Sequence, residues 1–208
     1  MGEQYEFVPQ CHHLRWLCEH LDGWQFGDQG LIKAIAEHLK LSGEGVEYGA
    51  GDGELLPLTI DPYYDAGKQC TLVEINAERR ESLTACYSGA VVCATLNWAS
   101  AFKKAQPSIV VIDIDGLDSV VMRDMFQSGV RPEILVVEHM DNHYPIGTTN
   151  AAFIPEWLLG QKLQSGHTIQ DTAETLHAIA AKYGYERICV NRCNSYFARN
   201  DVFLRLLK

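Results

Sequence analysis

GVEYGAGDGELL, residues 45–56, sets a short apolar run against three closely spaced glycines and a scatter of acids. Gly49, Gly51 and Gly53 supply a tight turn and let a ligand approach the backbone where a Cβ would stand in the way. The dinucleotide fingerprint needs glycine or alanine at the position held here by Glu54. A pyrophosphate also prefers backbone donors with little negative charge nearby, whereas this loop carries Glu47, Asp52 and Glu54. Acids suit instead a ligand with a cationic ammonium or sulfonium group, and S-adenosylmethionine has both.

Outward from the loop the chain alternates. Short apolar runs recur at GVEYG, CTLVEI, AVVCATL, SIVVIDID, EILVVEH, ERICVN and YFARND. Between them lie segments with helical spacing, NAERRESLTACYS, SVVMRDMFQS and TIQDTAETLHAIAAKYG. Near-continuous branched runs such as IVVI and ILVV fit strands buried on both faces. The expected fold is therefore α/β, a doubly wound, mostly parallel seven-stranded sheet. Residues 11–40 place Leu14, Leu17, Cys18 and Leu21, then Leu31, Ile32, Ile35 and Leu39, on helical faces. They predict two short helices joined around DGWQFGDQG, so that residues 1–42 form a helical extension or lid and residues 43–208 the ligand-binding domain. Trp16 and Trp24 read as core anchors in that extension. Pro57 and Pro62 limit any helix after the glycine loop to a short piece. The long stretch VVEHMDNHYPIGTTNAAFIPEWLLGQKLQSG follows a strand end, where a substrate lid is often found.

Strand ends carry the candidate site. TLVEIN puts Glu74 one strand beyond the loop, where a carboxylate accepts both hydroxyls of a ribose. CATLNWAS offers Asn97 to the adenine edge and Trp98 to its face, although an asparagine there also serves turn geometry. In SIVVIDIDGLDS, period two places Asp113 and Asp115 on one face as the strand ends. The next strand adds Glu138, His139, Asp141, Asn142 and His143. A sulfonium donor calls for a positioned and often deprotonated nucleophile. Asp115 or Glu138 is placed to orient that nucleophile or accept its proton, with His139 or His143 as the alternative base. The same oxygens suit Mg²⁺ or another hard divalent cation, though no spacing signature demands a metal.

Bulk properties narrow the partners. The formal net charge of -10, with no basic cluster longer than Lys103–Lys104 or Arg79–Arg80, makes nucleic acid an unfavoured partner and a small-molecule acceptor the preferred one. Seven cysteines without C-x-x-C spacing read as free thiols in a reducing, cytoplasmic setting. No apolar run approaches the ~20 residues of a membrane helix. A homodimer stays open, because nothing in the sequence marks an interface.

The ordered series VEYGAGDG, LVEIN, VVIDIDGLDSVV, RPEILVVEHM and GYERICVNRCNSYFARND resembles the class I S-adenosylmethionine-dependent methyltransferases, and among them the FkbM-like group. The resemblance spans residues 45–203 and implies S-adenosylmethionine as cofactor, with Glu47, Gly49, Gly51 and Glu74 as cofactor positions. It also implies a methyltransferase acting on hydroxyls of sugar-like or secondary-metabolite acceptors, with Asp113 and Asp115 as the acidic motif and Asp115 nearer the transfer site. Ser119 stands where the related pattern commonly continues with an aromatic residue. The alternatives are a NAD-dependent oxidoreductase and a noncatalytic, partner-binding protein that retains the fold.

Overall fold

A computed structural model describes residues 7–55, 58–103, 105–114, 116–139 and 171–208. Eight strands form one sheet: β1 (Phe7–Pro9), β2 (Gly45–Tyr48), β3 (Cys70–Val73), β4 (Val91–Cys93), β5 (Ile109–Ile112), β6 (Ile134–Glu138), β7 (Tyr185–Asn191) and β8 (Asn194–Arg199). Their order across the sheet is β1-β7-β8-β6-β5-β2-β3-β4. A 3-10 helix (His12–His20) leads into α1 (Trp24–Leu39), and α2 (Asp61–Asp65), α3 (Ala77–Cys86), α4 (Trp98–Ala101), α5 (Asp118–Gln127), α6 (Ala173–Lys182) and α7 (Asn200–Leu206) follow.

The branched runs behave as their composition requires. Ile109 and Val111 of β5, with Ile134 and Val136 of β6, face one core together with Leu31, Ile32 and Ile35 of α1. Val110 and Ile112, with Leu135 and Val137, face a second core against Met122 and Phe126 of α5 and Leu176 of α6. All of these residues are 0–1% exposed, so a sheet covered on both sides explains why its strands read as unbroken apolar runs. Each such side chain contributes roughly 1.5–3 kcal/mol by leaving water.

The seven expected strands are present as β2 to β8, and an eighth joins them. β1 pairs antiparallel with β7, Val8 opposite Val190. Three residues ending in a proline carry no readable alternation, so their place at a sheet edge is set by β7 and not by local pattern. The sheet is also less uniform than expected. Ladders among β2, β3, β4, β5 and β6 are parallel, whereas β8 runs antiparallel to both β6 and β7. The two-residue turn Arg192–Cys193 reverses the chain from β7 into β8, with Arg192 at φ 50°.

Residues 7–42 pack into the same core as the sheet, through Leu14, Leu17, Leu31, Ile35 and Leu39. The helix after the glycine loop is reduced to the five residues of α2, with Pro62 in its first turn, as the prolines require. Among the described residues no helix is long and apolar enough to cross a membrane.

Candidate functional site

The glycine loop follows β2 and lies against its neighbours on both sides. The N–H groups of Gly49 and Ala50 donate to the Val73 carbonyl at 2.8 and 3.2 Å. Gly49 takes φ +84°, and a Cβ there would meet the Asp113 carbonyl oxygen at 1.6 Å, so the turn tolerates no side chain. Gly51 donates its N–H to Oε2 of Glu74 at 3.1 Å. Oδ1 of Asp52 accepts from the N–H groups of Glu54 and Leu55 at 3.0 and 2.9 Å, which folds the loop back on itself. At Gly53 an added Cβ would lie 2.6 Å from the Tyr87 ring. These amides are therefore satisfied within the protein, chiefly by acids.

Glu47 is 4% exposed, and its two oxygens accept from the N–H groups of Thr59 and Ile60, each at 3.0 Å. It ties the segment before α2 to the underside of the loop. Glu74 is 5% exposed and divides its oxygens between Gly51 and the Asn76 N–H at 2.7 Å. It stands beside Ile75, whose side chain is 83% exposed.

Asn97 caps α4, its Oδ1 accepting from the Ser100 N–H at 3.0 Å. The cap turns Trp98 into the second core, where it is 2% exposed and stacks on Tyr48 with centroids 5.5 Å apart. The expectation that Trp98 covers an adenine gives way to this packing.

Asp113 closes β5 against β2, its N–H donating to the Tyr48 carbonyl at 2.9 Å. Asp115 lies outside the described residues, as do Asp141, Asn142, His143 and most of the long segment read as a substrate lid. Asp118, 1% exposed, accepts from the N–H groups of Ile114 and Gly116 at 2.9 and 3.1 Å and so ties both to the first turn of α5. Glu138 ends β6 half-buried. His139 is fully buried; its N–H donates to the Cys193 carbonyl at 2.6 Å, and its Nδ1 lies 3.2 Å from Oγ of Ser195. Ser195 was not legible as a site residue, because the imidazole beside it is 56 residues away in sequence. Among the described residues no group of three or more His, Cys, Asp and Glu side chains is arranged to hold a metal ion.

The acids act on one another. Burial raises Glu47 from 4.5 to about 8, against its two backbone hydrogen bonds and with the help of Asp113. Burial likewise raises Asp118 from 3.8 to about 7 and Asp28 from 3.8 to about 6, the latter against hydrogen bonds from Tyr196, Asn191 and Asn194. Between its ordinary and raised values each group holds more proton in the folded than in the unfolded chain, so stability falls as pH rises through that window. Urea unfolding is expected to give a lower free energy at about pH 9 than at about pH 5, and Glu47→Gln to flatten the upper part of the slope. An unfolding free energy that rises across this range would contradict the assignment.

No protein-family model matches the sequence, and no curated protein matches it. Solved structures do. One is an S-adenosylmethionine-bound amino pentose methyltransferase from Micromonospora echinaspora, involved in calicheamicin biosynthesis. It is 12% identical with a TM-score of 0.57, and the match covers 86% of this chain and 92% of that one. The CMeT domain of the citrinin polyketide synthase is 15% identical with a TM-score of 0.51, over 89% of this chain and 52% of that one. An O-methyltransferase family protein from Burkholderia thailandensis is 12% identical with a TM-score of 0.50, over 83% and 55%. The chain thus spans about half the length of the last two. At these identities the likeness is one of fold: the chain has the Rossmann-like architecture of S-adenosylmethionine-dependent methyltransferases.

Proposed function

We propose that the protein is an S-adenosylmethionine-dependent O-methyltransferase of the FkbM-like kind, acting on a hydroxyl of a small sugar-like or secondary-metabolite acceptor. The observation that carries this reading is the way the glycine loop spends its amides. Gly49, Ala50, Gly51, Glu54 and Leu55 all donate within the protein, three of them to the carboxylates of Glu74 and Asp52. Among the described residues that follow the loop, the first helix begins only at Asp61, and it is five residues long with an acid in its first turn. A pyrophosphate finds most of the loop's amides already engaged by carbonyl and carboxylate oxygens, and only a five-residue helix after it. A cationic ligand with a ribose finds a negative loop, a diol acceptor in Glu74 and an exposed apolar side chain in Ile75.

The residues fit S-adenosylmethionine in these terms. When bound, it supplies a methyl group on a sulfonium, open to displacement by an oxygen in line with the departing thioether. Glu74 would hold the ribose, Ile75 would meet the base, and the loop would cradle the rest with Glu47 fixing its underside. Asp115, Glu138 and His139 are the groups proposed to orient the acceptor and take its proton. The partial exposure of Glu138 favours it over His139, whose ring is fully buried and held by Ser195. A small-molecule acceptor, a cytoplasmic setting and a homodimer belong to the same reading.

Calorimetric titration with S-adenosylmethionine, S-adenosylhomocysteine and NAD tests it. The expected result is about micromolar binding of both adenosyl ligands, with NAD weaker by about tenfold or more. Binding of NAD alone would replace methyl transfer with oxidoreduction.

A further inference from the structure

Three of the chain's eight lysines, Lys33, Lys40 and Lys68, line one cavity of about 660 Å³ between α1 and α2. In a chain of formal net charge -10, that gathers positive charge where the rest of the molecule has little. Lys40 caps the C-terminus of α1 just before β2, and Lys68 stands just before β3. The first residues of those strands, Gly45 and Cys70, pair in register, so Lys40 and Lys68 share one end of the cavity. That end lies at the start of the strands. The glycine loop leaves the other end of the four-residue β2, about 13 Å of strand away. The cavity is therefore separate from the site proposed for S-adenosylmethionine.

None of the three ammonium groups makes an ion pair among the described residues, although Glu37 stands at pairing distance in sequence from both Lys33 and Lys40. The C-terminal carbonyls of α1 favour a cation at Lys40 without any carboxylate. Asp61, which also lines the cavity, is engaged elsewhere: its Oδ1 accepts from the Tyr87 hydroxyl at 2.6 Å and its Oδ2 from Gln29 Nε2 at 3.0 Å. Glu37 and Asp65 are exposed and keep acceptor oxygens at the rim. Ala36, Pro62 and Ala66 add a small apolar lining against which a ring can lie. Inorganic phosphate would answer the lysines but leave two like charges beside it. A neutral sugar would answer the carboxylates and leave the lysines. A phosphate monoester on a polyhydroxylated body answers both, since lysine holds phosphate as a point charge and hydroxyls donate to carboxylates.

We propose that this cavity binds a phosphorylated sugar, with Lys40 and Lys68 on the phosphate and Lys33 and Glu37 on the ring hydroxyls. Lys33 stands about 10 Å before Lys40 along the helix, which leaves room for one ring between them. The volume falls within the roughly 300–1,000 Å³ of small-molecule sites. Neither the glycine loop nor Glu74 takes part, so the site is independent of methyl transfer.

The test titrates the full chain with glucose 6-phosphate, inorganic phosphate and glucose at constant ionic strength, read through the methyl resonances of Ala36 and Ala66. Glucose 6-phosphate is expected to shift both saturably, with a Kd of about a millimolar or below. Inorganic phosphate should bind about tenfold more weakly, and glucose should leave both signals in place. Lys40→Gln combined with Lys68→Gln should weaken both phosphates by about tenfold or more. Glu37→Ala should narrow the gap between glucose 6-phosphate and inorganic phosphate. The altered side chains are exposed or half-buried, so these variants are expected to fold, and a thermal melt checks it. Equal affinity for the two phosphates would overturn the sugar assignment. Unmoved Ala36 and Ala66 signals, or a double variant that binds like the unaltered chain, would overturn the site. S-adenosylmethionine at saturation should leave the shifts in place, and displacement by it would put both ligands in one site and overturn the proposal. A chain that binds glucose 6-phosphate and no S-adenosylmethionine would remove methyl transfer alone.

Discussion

Glu74→Ala is expected to weaken S-adenosylmethionine by about 100-fold or more. A carboxylate holding both ribose hydroxyls makes two charge-assisted hydrogen bonds, worth roughly 1.5–3 kcal/mol each, and 1.4 kcal/mol is about a tenfold change. The variant also releases the N–H groups of Gly51 and Asn76, so the loop keeps only the Gly49 and Ala50 bonds to Val73 as its hold on β3. Glu74→Gln keeps one acceptor oxygen and is expected to lose about tenfold. Calorimetry measures both, and a thermal melt on the same samples shows whether the loop's loss has spread to the fold. A folded Glu74→Ala protein that binds S-adenosylmethionine like the unaltered chain would remove the ribose role.

The second large effect is on stability. Gly49→Ala places a Cβ 1.6 Å from a backbone carbonyl oxygen, at a φ of +84° that L residues avoid. The oxygen belongs to Asp113, whose N–H is bound to Tyr48, so it cannot yield without parting β2 from β5 at the centre of the sheet. A loss of about 4 kcal/mol or more is expected, a large share of the roughly 5–15 kcal/mol that holds a domain folded. Gly67→Ala is the internal control. Its φ of +77° is equally unsuited to alanine, but nothing lies within 4 Å of the added Cβ. It should cost only about 1 kcal/mol. Urea denaturation of the two variants measures the difference, and equal losses would show that the Asp113 carbonyl moves aside readily.

These effects sit on residues that the sequence exposes to different degrees. The turn at Gly49 and the place of Glu74 at the end of the next strand were legible because a strand, a glycine turn and a second strand follow one another in a fixed local order. The runs IVVI and ILVV were legible because burial on both faces leaves no polar alternation, and the structure divides their alternate residues between two cores. Trp98 was misread, since the sequence shows an aromatic at a strand end without showing that Asn97 caps the turn and sends the indole inward. Asp28 and Ser195 were silent for a different reason. Their meaning lies in partners on distant strands, and no window of neighbouring residues contains both members of such a pair. β1 was silent because three residues hold too little pattern to mark a strand.

The Asp28 cluster also fixes an order of events when the chain folds. Its donors lie 163 to 168 residues further along, and β1 must likewise wait for Cys189 to Asn191. Until those residues have left the ribosome, the carboxylate has only water to hydrate it and α1 has no hairpin on which to lock. The parallel strands β2, β3 and β5 can assemble earlier, from contacts much closer in sequence. Closing loops of such length opposes contact formation entropically and slows folding dominated by distant pairs. Until residues 189–196 have emerged, the nascent chain therefore carries an open sheet edge and a first helix without the donors that hold its buried carboxylate.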